Sequence, residues 1–174
     1  CGVGRITVVD PDTVDLTNLQ RQIAHTTARI GQPKVLSAEL AMAELNPGVQ
    51  VHAIAEVADA ALLDTWVPQA DVVLDCTDNF ATRHAINRAC VAAGKPLVSG
   101  AAIRFDGQLA VYDTRDAASP CYHCLFGEGD DLEETACATM GVFAPLVGII
   151  GSMQAAEALK LLAGIGSSLA GRLQ

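Results

Sequence analysis

Aromatic and basic residues are both scarce in this 174-residue sequence. Aromatic side chains make up 4% of it, and 11 Lys and Arg stand against 20 Asp and Glu, which gives a formal net charge of −9. Because proteins that bind nucleic acid through charge need clustered basic residues, we expect no nucleic-acid partner. No signal peptide is recognisable, and the start at Cys1 rather than at Met leads us to expect an incomplete chain.

Long apolar runs free of polar residues are also lacking. The longest stretch without a charge spans residues 135–156, but it contains Pro145, Gln154 and three glycines. We therefore interpret it as a buried loop followed by a helix, and we expect no membrane partner.

The six cysteines do not form an obvious disulfide framework. A chain of this length that is 51% hydrophobic can bury a core without cross-links. Cys76 and Cys90 lie in apolar surroundings and are expected in the core. This usage of cysteine favours a reducing compartment, so a cytoplasmic location is predicted.

Apolar β-branched runs alternate with helical patterns along the chain. Strands are predicted over residues 6–9, 49–54, 71–75, 96–99 and 108–112, with a hairpin turn at residues 105–107 before the last of them. Helices are predicted over residues 34–45, 59–66 and 79–93. Buried strands that alternate with helices are typical of a doubly wound, Rossmann-like α/β fold, in which helices cover both faces of a mostly parallel sheet. We expect one domain over residues 1–174.

Acidic residues follow two of these strands, at the rim where such folds bind ligands. Asp10 could hydrogen-bond a ribose hydroxyl, although Asp-Pro-Asp-Thr is equally good turn chemistry. Asp78 could cap the helix that begins near Asn79, which its position alone favours, or it could hold Mg²⁺. No glycine-rich phosphate loop precedes Asp10, because Gly2 and Gly4 lie before the strand and not after it.

Two basic residues follow the first acidic strand end along the sequence. Arg21, within the polar segment 17–22, and Lys34 could converge on a polyphosphate. The alternative, a solvated loop and helix start, is favoured by position alone.

Cysteines supply the remaining candidates. Cys121 and Cys124 have the spacing of half a tetrahedral zinc site, and a redox pair is the rival interpretation. Cys137 follows an acidic stretch that would raise the pKa of its thiol, and composition favours a buried structural cysteine.

Taken together, these segments resemble the MoeB/ThiF/HesA family, the bacterial relatives of ubiquitin-activating enzymes. The resemblance covers essentially the whole chain, in order and at family spacing. It rests on GVGRITVVD at 2–10, LTNLQRQ at 16–22, GQPKV at 31–35, LNP at 45–47, DCTDN at 75–79, SGAA at 99–102, the pair Cys121 and Cys124, and GIIGSMQA at 148–155.

This resemblance implies ATP-dependent adenylation of the C-terminal glycine of a small, MoaD- or ThiS-like sulfur-carrier protein by a homodimer, in molybdopterin or thiamine biosynthesis. Asp10 would hold the ribose, Asp78 would organise Mg²⁺, and Cys121 and Cys124 would be two of four Zn²⁺ ligands. Cys137 matches a cysteine that links covalently to the carrier in some members. The implied ATP-binding residues are Asp10, Asp12, Thr17, Asn18, Leu19, Gln20, Arg21, Gln22, Lys34, Asp78 and Asn79, and the implied catalytic residues are Arg21, Lys34, Asp78 and Cys137.

Two family features are not found in the sequence: the glycine-rich loop, expected before Cys1, and a second CxxC, expected after Gln174. On its own, the chain is therefore expected to be an incompetent enzyme. Residues 99–104 and 125–128 favour the molybdopterin branch slightly, and residues 79–83 favour the thiamine branch. Two other hypotheses remain, an NAD-dependent Rossmann oxidoreductase and a non-catalytic carrier-binding module.

Overall fold

The computed structural model describes residues 1–127 and 141–174. Its contacts divide into two compact units, Cys1–Ala58 and Asp59–Gln174, and each is described by itself. The single domain expected over residues 1–174 stays a prediction.

The first unit contains a parallel pair of strands and the helix that connects them. Strand β1 (Arg5–Val9) pairs with β2 (Gln50–Ile54) from Arg5 opposite Gln50 to Val9 opposite Ile54. Parallel neighbours need a crossover, and helix α1 (Lys34–Leu45) provides it and packs against β2. Two 3₁₀ turns, Leu16–Asn18 and Thr27–Arg29, lie between β1 and α1.

The long connection from β1 to α1 is closed by backbone hydrogen bonds. The Val14 amide donates to the Gln32 carbonyl at 2.8 Å, and the Lys34 amide donates to the Asp12 carbonyl at 2.9 Å. Val14 itself is only 2% exposed. The beginning and the end of the connection are therefore held side by side, and the first residue of α1 lies beside Asp12.

The second unit contains a three-stranded mixed sheet in the order β3-β4-β5. Strands β3 and β4 are parallel, and β4 and β5 form an antiparallel hairpin. The described elements are α2 (Ala60–Trp66), a 3₁₀ turn (Val67–Gln69), β3 (Val73–Asp75), α3 (Phe80–Ala93), β4 (Leu97–Ile103), β5 (Asp106–Tyr112), α4 (Tyr122–Leu125) and α5 (Ala144–Ala163).

Helix α5 packs across β4 and β5. Val98, Leu109 and Val111 are buried in this core, and Met153 of α5 packs against them. The helices and strands confirm the predicted alternation closely.

Two details differ from the sequence expectation. The hairpin turn is Arg104–Phe105 and not residues 105–107, because Ile103 already pairs with Asp106. Arg104 takes the left-handed φ of 51° that this two-residue turn requires. Cys76 is exposed although we expected it in the core, because it follows the last residue of β3, whereas Cys90 of α3 is buried as predicted.

Among the described residues, α5 alone has the length and apolar composition of a possible membrane span. The mean hydropathy of its most apolar window is 1.4, and 22% of that window is buried inside the protein. Core helices of soluble proteins meet the same criterion.

Candidate functional site

A compact cluster of opposite charges lies at the carboxyl end of β1. The Lys34 ammonium is 2.7 Å from an Asp12 carboxylate oxygen and 3.6 Å from one of Asp10, and the Lys34 side chain is only 12% exposed. The Asp12 amide donates to Asp10 Oδ1 at 2.8 Å, which is the turn contact that the sequence offered as the alternative role of Asp10. The Lys34 ammonium thus lies at the start of α1 beside Asp12. A bound polyphosphate could replace the Asp12 carboxylate as the partner of this ammonium.

The 3₁₀ turn that follows is built by a residue that the sequence interpretation missed. Asp15 accepts hydrogen bonds from the Thr17 amide at 2.8 Å and the Thr17 hydroxyl at 2.6 Å. In return, Asn18 Oδ1 accepts from the Asp15 amide at 3.0 Å, which completes a capping box. The Thr17 hydroxyl is the main cause of a lowered pKa for Asp15. An acidic residue three positions before Asn18 was the available signal.

The rest of the predicted phosphate-binding segment is hydrogen-bonded to the 3₁₀ turn that Asp15 caps. The amides of Arg21 and Gln22 both donate to the Asn18 carbonyl, at 3.0 and 2.9 Å, and the Arg21 guanidinium donates to the Thr17 carbonyl at 3.1 Å. Leu19 donates its amide to the Leu16 carbonyl, and Gln20 is exposed.

Gln22 carries the one buried side-chain oxygen or nitrogen without a hydrogen-bond partner among residues 1–127 and 141–174. This atom is Oε1. An amide oxygen only accepts, so its partner must be a donor such as a ribose hydroxyl or water. The segment therefore offers one buried acceptor to a donor, and a phosphate contact by Gln22 would have to come from Nε2.

His25 was not singled out by the sequence, because it belongs to no motif. Its Nδ1 shares a hydrogen bond with Ser37 Oγ at 2.9 Å, and Ser37 is fully buried. Burial is the main cause of a lowered pKa for His25, and the positive charge of Lys34 lowers the pKa further.

In the second unit, Asp75 organises the turn that leaves β3. It is 1% exposed and accepts three hydrogen bonds: from the Thr77 amide at 2.9 Å, from the Thr77 hydroxyl at 2.7 Å and from the Ser99 hydroxyl at 3.0 Å. A buried carboxylate is tolerated when its oxygens are satisfied in this way. Asp75 therefore fixes the backbone from which Asp78 projects.

Asp78 and Asn79 have separate roles in this turn. Asn79 is the N-cap of α3, since its Oδ1 accepts from the Thr82 amide at 2.8 Å. The alternative in which Asp78 caps the helix is thus wrong. Asp78 is exposed and has no hydrogen bond or ion pair with another described residue, so its carboxylate is open to a hard cation that completes its shell with water and phosphate oxygens.

Cys121 is the N-cap of the one-turn helix α4, and Cys124 lies within that helix. Their sulfur atoms are 3.6 Å apart, and Asn87 of α3 donates to Cys121 Sγ at 3.7 Å. Although burial raises it, hydrogen bonds from the Cys124 amide and Asn87 bring the pKa of the Cys121 thiol below its ordinary value. The pair fits two ligands of a single tetrahedral zinc ion.

No group of three His, Cys, Asp or Glu side chains that could hold a metal is found within the described ranges. The zinc site therefore stays a prediction that needs further ligands. Cys137 lies outside the described residues.

This arrangement defines an α/β protein with polar side chains at the carboxyl ends of its strands, the class in which nucleotide-binding enzymes are common. The model of the ThiF family matches residues 1–174, and the chain belongs to that family. The resemblance stated from the sequence is confirmed.

Curated relatives are similar over nearly the whole chain. The molybdopterin-synthase adenylyltransferase of Escherichia coli is 48% identical over 99% of this chain and 68% of its own length. The sulfur carrier protein ThiS adenylyltransferase of E. coli is 46% identical over 94% of this chain and 64% of its length. The bovine adenylyltransferase and sulfurtransferase MOCS3 is 45% identical over 99% of this chain, which spans 38% of that protein.

Solved structures agree on the fold. E. coli MccB with ATP superposes with a TM-score of 0.80 at 23% identity, over 98% of this chain and 51% of that one. At this identity the similarity establishes the fold alone, and it confirms the predicted Rossmann-like α/β class.

Proposed function

We propose that the full-length protein that contains this chain catalyses ATP-dependent adenylation of the C-terminal glycine of a small ubiquitin-like sulfur-carrier protein. The observation that carries the proposal is the 48% identity with a molybdopterin-synthase adenylyltransferase over 99% of the chain. The presence of Asp10 and Asp78 after the ends of β1 and β3 supports the proposal.

The chemistry requires positioning and neutralisation of charge. A carboxylate oxygen of the carrier attacks the α-phosphorus of ATP, a new acyl–O–P bond forms, and the bond to the pyrophosphate leaving group breaks. Lys34 and Arg21 supply cations for the phosphate oxygens, and such preorganised charges stabilise the transition state. Binding of ATP would draw the Lys34 ammonium from Asp12, while Asp10 accepts from a ribose hydroxyl.

Two metal ions belong to the proposal. Mg²⁺ would neutralise charge on the phosphates, and the exposed Asp78 carboxylate is its proposed protein ligand. Cys121 and Cys124 would supply two of four ligands to a structural Zn²⁺. Elemental analysis of the full-length protein should find one zinc per subunit, lost in Cys121→Ser. An absence of zinc in the wild type would favour the redox interpretation of this pair.

We further propose a homodimer in the cytoplasm. Helix α5 supports self-association, because Ile150 and Ala158 are buried on one side while Ile149 and Leu162 are 55% and 43% exposed on another. Sedimentation velocity should give twice the monomer mass, and a monomer at micromolar concentration would contradict the dimer.

The test is the exchange of radiolabelled pyrophosphate into ATP by the full-length protein. Exchange should require a carrier that ends in Gly-Gly, and a carrier shortened by its last glycine should support none. Comparison of molybdopterin and thiamine carriers at equal concentration assigns the branch. Exchange without carrier, or reduction of NAD, would contradict the proposal. Carrier binding without any exchange would favour the non-catalytic binding module.

A further inference from the structure

Gln154 is a buried polar residue on the buried face of α5, between Ile150 and Ala158. It is 4% exposed. Its Nε2 donates to the Asp75 carbonyl at 2.8 Å and to the Val98 carbonyl at 3.2 Å, and its Oε1 accepts from the Cys76 thiol at 3.6 Å. One amide therefore joins α5 to the ends of two strands.

The neighbouring strand leaves room for this amide. A Cβ atom placed on Gly100 would lie 2.4 Å from both Cδ and Oε1 of Gln154 and 2.8 Å from Nε2. Because Gly100 lies within β4 and does not need a positive φ, the glycine is required here by the close approach of Gln154.

A second buried side chain reaches the same turn from α3. Arg83 is 8% exposed, and its guanidinium donates to the Thr77 carbonyl and, at 3.3 Å, to the Gly100 carbonyl. The turn is thus held at Asp75 by Gln154, at Thr77 by Arg83 and at Asn79 by the helix cap.

From this geometry we infer that Gln154 and Arg83 are positioning residues for Asp78. Gly100 leaves the space that the Gln154 amide occupies. The inference rests on the proposed role of Asp78 as the magnesium ligand. Since no described residue forms a hydrogen bond or an ion pair with the Asp78 carboxylate, its location follows from the backbone of the turn, and that backbone is fixed by these hydrogen bonds.

Packing alone does not call for a glutamine at this position. A buried amide has to be fully hydrogen-bonded to be tolerated, whereas an apolar side chain of similar length would fill the space without that condition. The neighbours Ile150 and Met153 on the same helix are apolar. What an apolar residue could not provide is the pair of directed hydrogen bonds to Asp75 and Val98.

Three variants of the full-length protein test the inference. Gln154→Met keeps the length of the side chain and removes its hydrogen bonds. Gly100→Ala leaves every hydrogen-bonding group in place and displaces the Gln154 amide. Gly107→Ala is the matched control, because its Cβ would also approach α5, at 2.8 Å from Ile150 Cδ1, without touching Gln154.

The first measurement is amide hydrogen exchange without ATP or metal. The Thr77 amide donates to Asp75 Oδ1 and is therefore the protected amide of this turn. Loss of one hydrogen bond corresponds to roughly a tenfold change in an equilibrium constant, so exchange at Thr77 should be about tenfold faster in Gln154→Met and Gly100→Ala. Exchange at this amide should match the wild type in Gly107→Ala.

The second measurement is the Mg²⁺ concentration that gives half-maximal pyrophosphate exchange. It should rise severalfold in Gln154→Met and Gly100→Ala, while the rate at saturating Mg²⁺ stays near that of Gly107→Ala. Unchanged amide exchange at the turn, or a fall in rate that Mg²⁺ does not restore, would overturn the inference. If the wild type shows no pyrophosphate exchange, the proposed function fails, and amide exchange still decides whether Gln154 holds the turn.

Discussion

At the scale of single residues, the neighbours Asp78 and Asn79 differ in role: Asn79 is structural, and Asp78 is the proposed metal ligand. Asn79 caps α3 through the Thr82 amide, whereas the Asp78 carboxylate has no hydrogen bond with a described residue. We predict that Asp78→Ala abolishes adenylation and leaves the free energy of unfolding unchanged. Asn79→Ala should lower that free energy by about 1 kcal/mol because the cap is lost. Urea unfolding and pyrophosphate exchange, measured on both variants, provide the check.

Each variant serves as the control for the other. Full activity of Asp78→Ala would refute the role of Asp78 at the magnesium site. A large loss of stability in Asp78→Ala, equal to that in Asn79→Ala, would show that Asp78 supports the turn itself.

The protonation of His25 should make the protein sensitive to acid. Burial first, and then Lys34 and Arg29, lower the pKa of His25 in the folded chain from its ordinary value of 6.5, while Asp10 opposes the shift. Below pH 6.5 the unfolded chain therefore binds this proton more readily, and the free energy of unfolding decreases as the pH falls. His25→Gln should weaken this decrease between pH 7 and pH 5.

Urea unfolding at several pH values measures the effect, with His52→Gln on β2 as the matched control. The same dependence on pH in His25→Gln and in the wild type would contradict the prediction.

The residues of the candidate site could be predicted more fully than their contacts. The sequence pattern placed Asp10, Lys34 and Asp78 at strand or helix ends, where the structure has them. The pairing of Lys34 with Asp12 depends on backbone hydrogen bonds between residues 12–14 and 31–34, which are distant along the chain and leave no periodic signal. Gln154 was visible only as part of a motif, because its partners, Asp75 and Val98, lie far away in the sequence.

At the scale of elements, the periodicity of apolar residues was sufficient to predict which segments form helices and strands. It was insufficient to predict every turn between them. Asn46-Pro47 correctly stops α1, and Gly94 with φ of 61° ends α3. The hairpin turn was misplaced because Asp106-Gly107 is a good turn sequence, yet both residues pair with β4. The apolar face of α5 packs on the sheet and overrides that local preference.

The last helix also fixes the segment that follows it. Glu157 is 4% exposed, accepts from the Leu169 amide at 2.8 Å and pairs with Lys160, whose ammonium donates to the Ser167 carbonyl. We predict that Glu157→Ala lowers the free energy of unfolding by about 1–3 kcal/mol, because the half-buried Leu169 amide loses its acceptor. Urea unfolding checks the loss, and the Leu169 amide should exchange faster.

Glu44→Ala is the matched control for that variant. Its ion pair with Arg29 is largely exposed on the glutamate side and should contribute less than about 1 kcal/mol. Equal losses of stability in the two variants would contradict the anchoring role of Glu157.

At the scale of the whole molecule, family membership and the local chemistry point to the same reaction. The ThiF family model matches all 174 residues. Polar side chains suited to a nucleotide or its metal follow a strand or begin a helix in each unit: Asp10 and Lys34 in the first, and Asp78 in the second. The oxidoreductase hypothesis assigns no role to Lys34, Asp78 or the pair Cys121 and Cys124.

The most direct test of the central claim is the intact mass of the carrier after incubation with ATP, Mg²⁺ and the full-length protein. We expect a carrier heavier by one adenylyl group, with release of one pyrophosphate per adenylate, and no such product with Asp78→Ala. A carrier of unchanged mass and unconsumed ATP would contradict the proposed adenylation, provided that a related adenylyltransferase modifies the same carrier in a parallel control reaction.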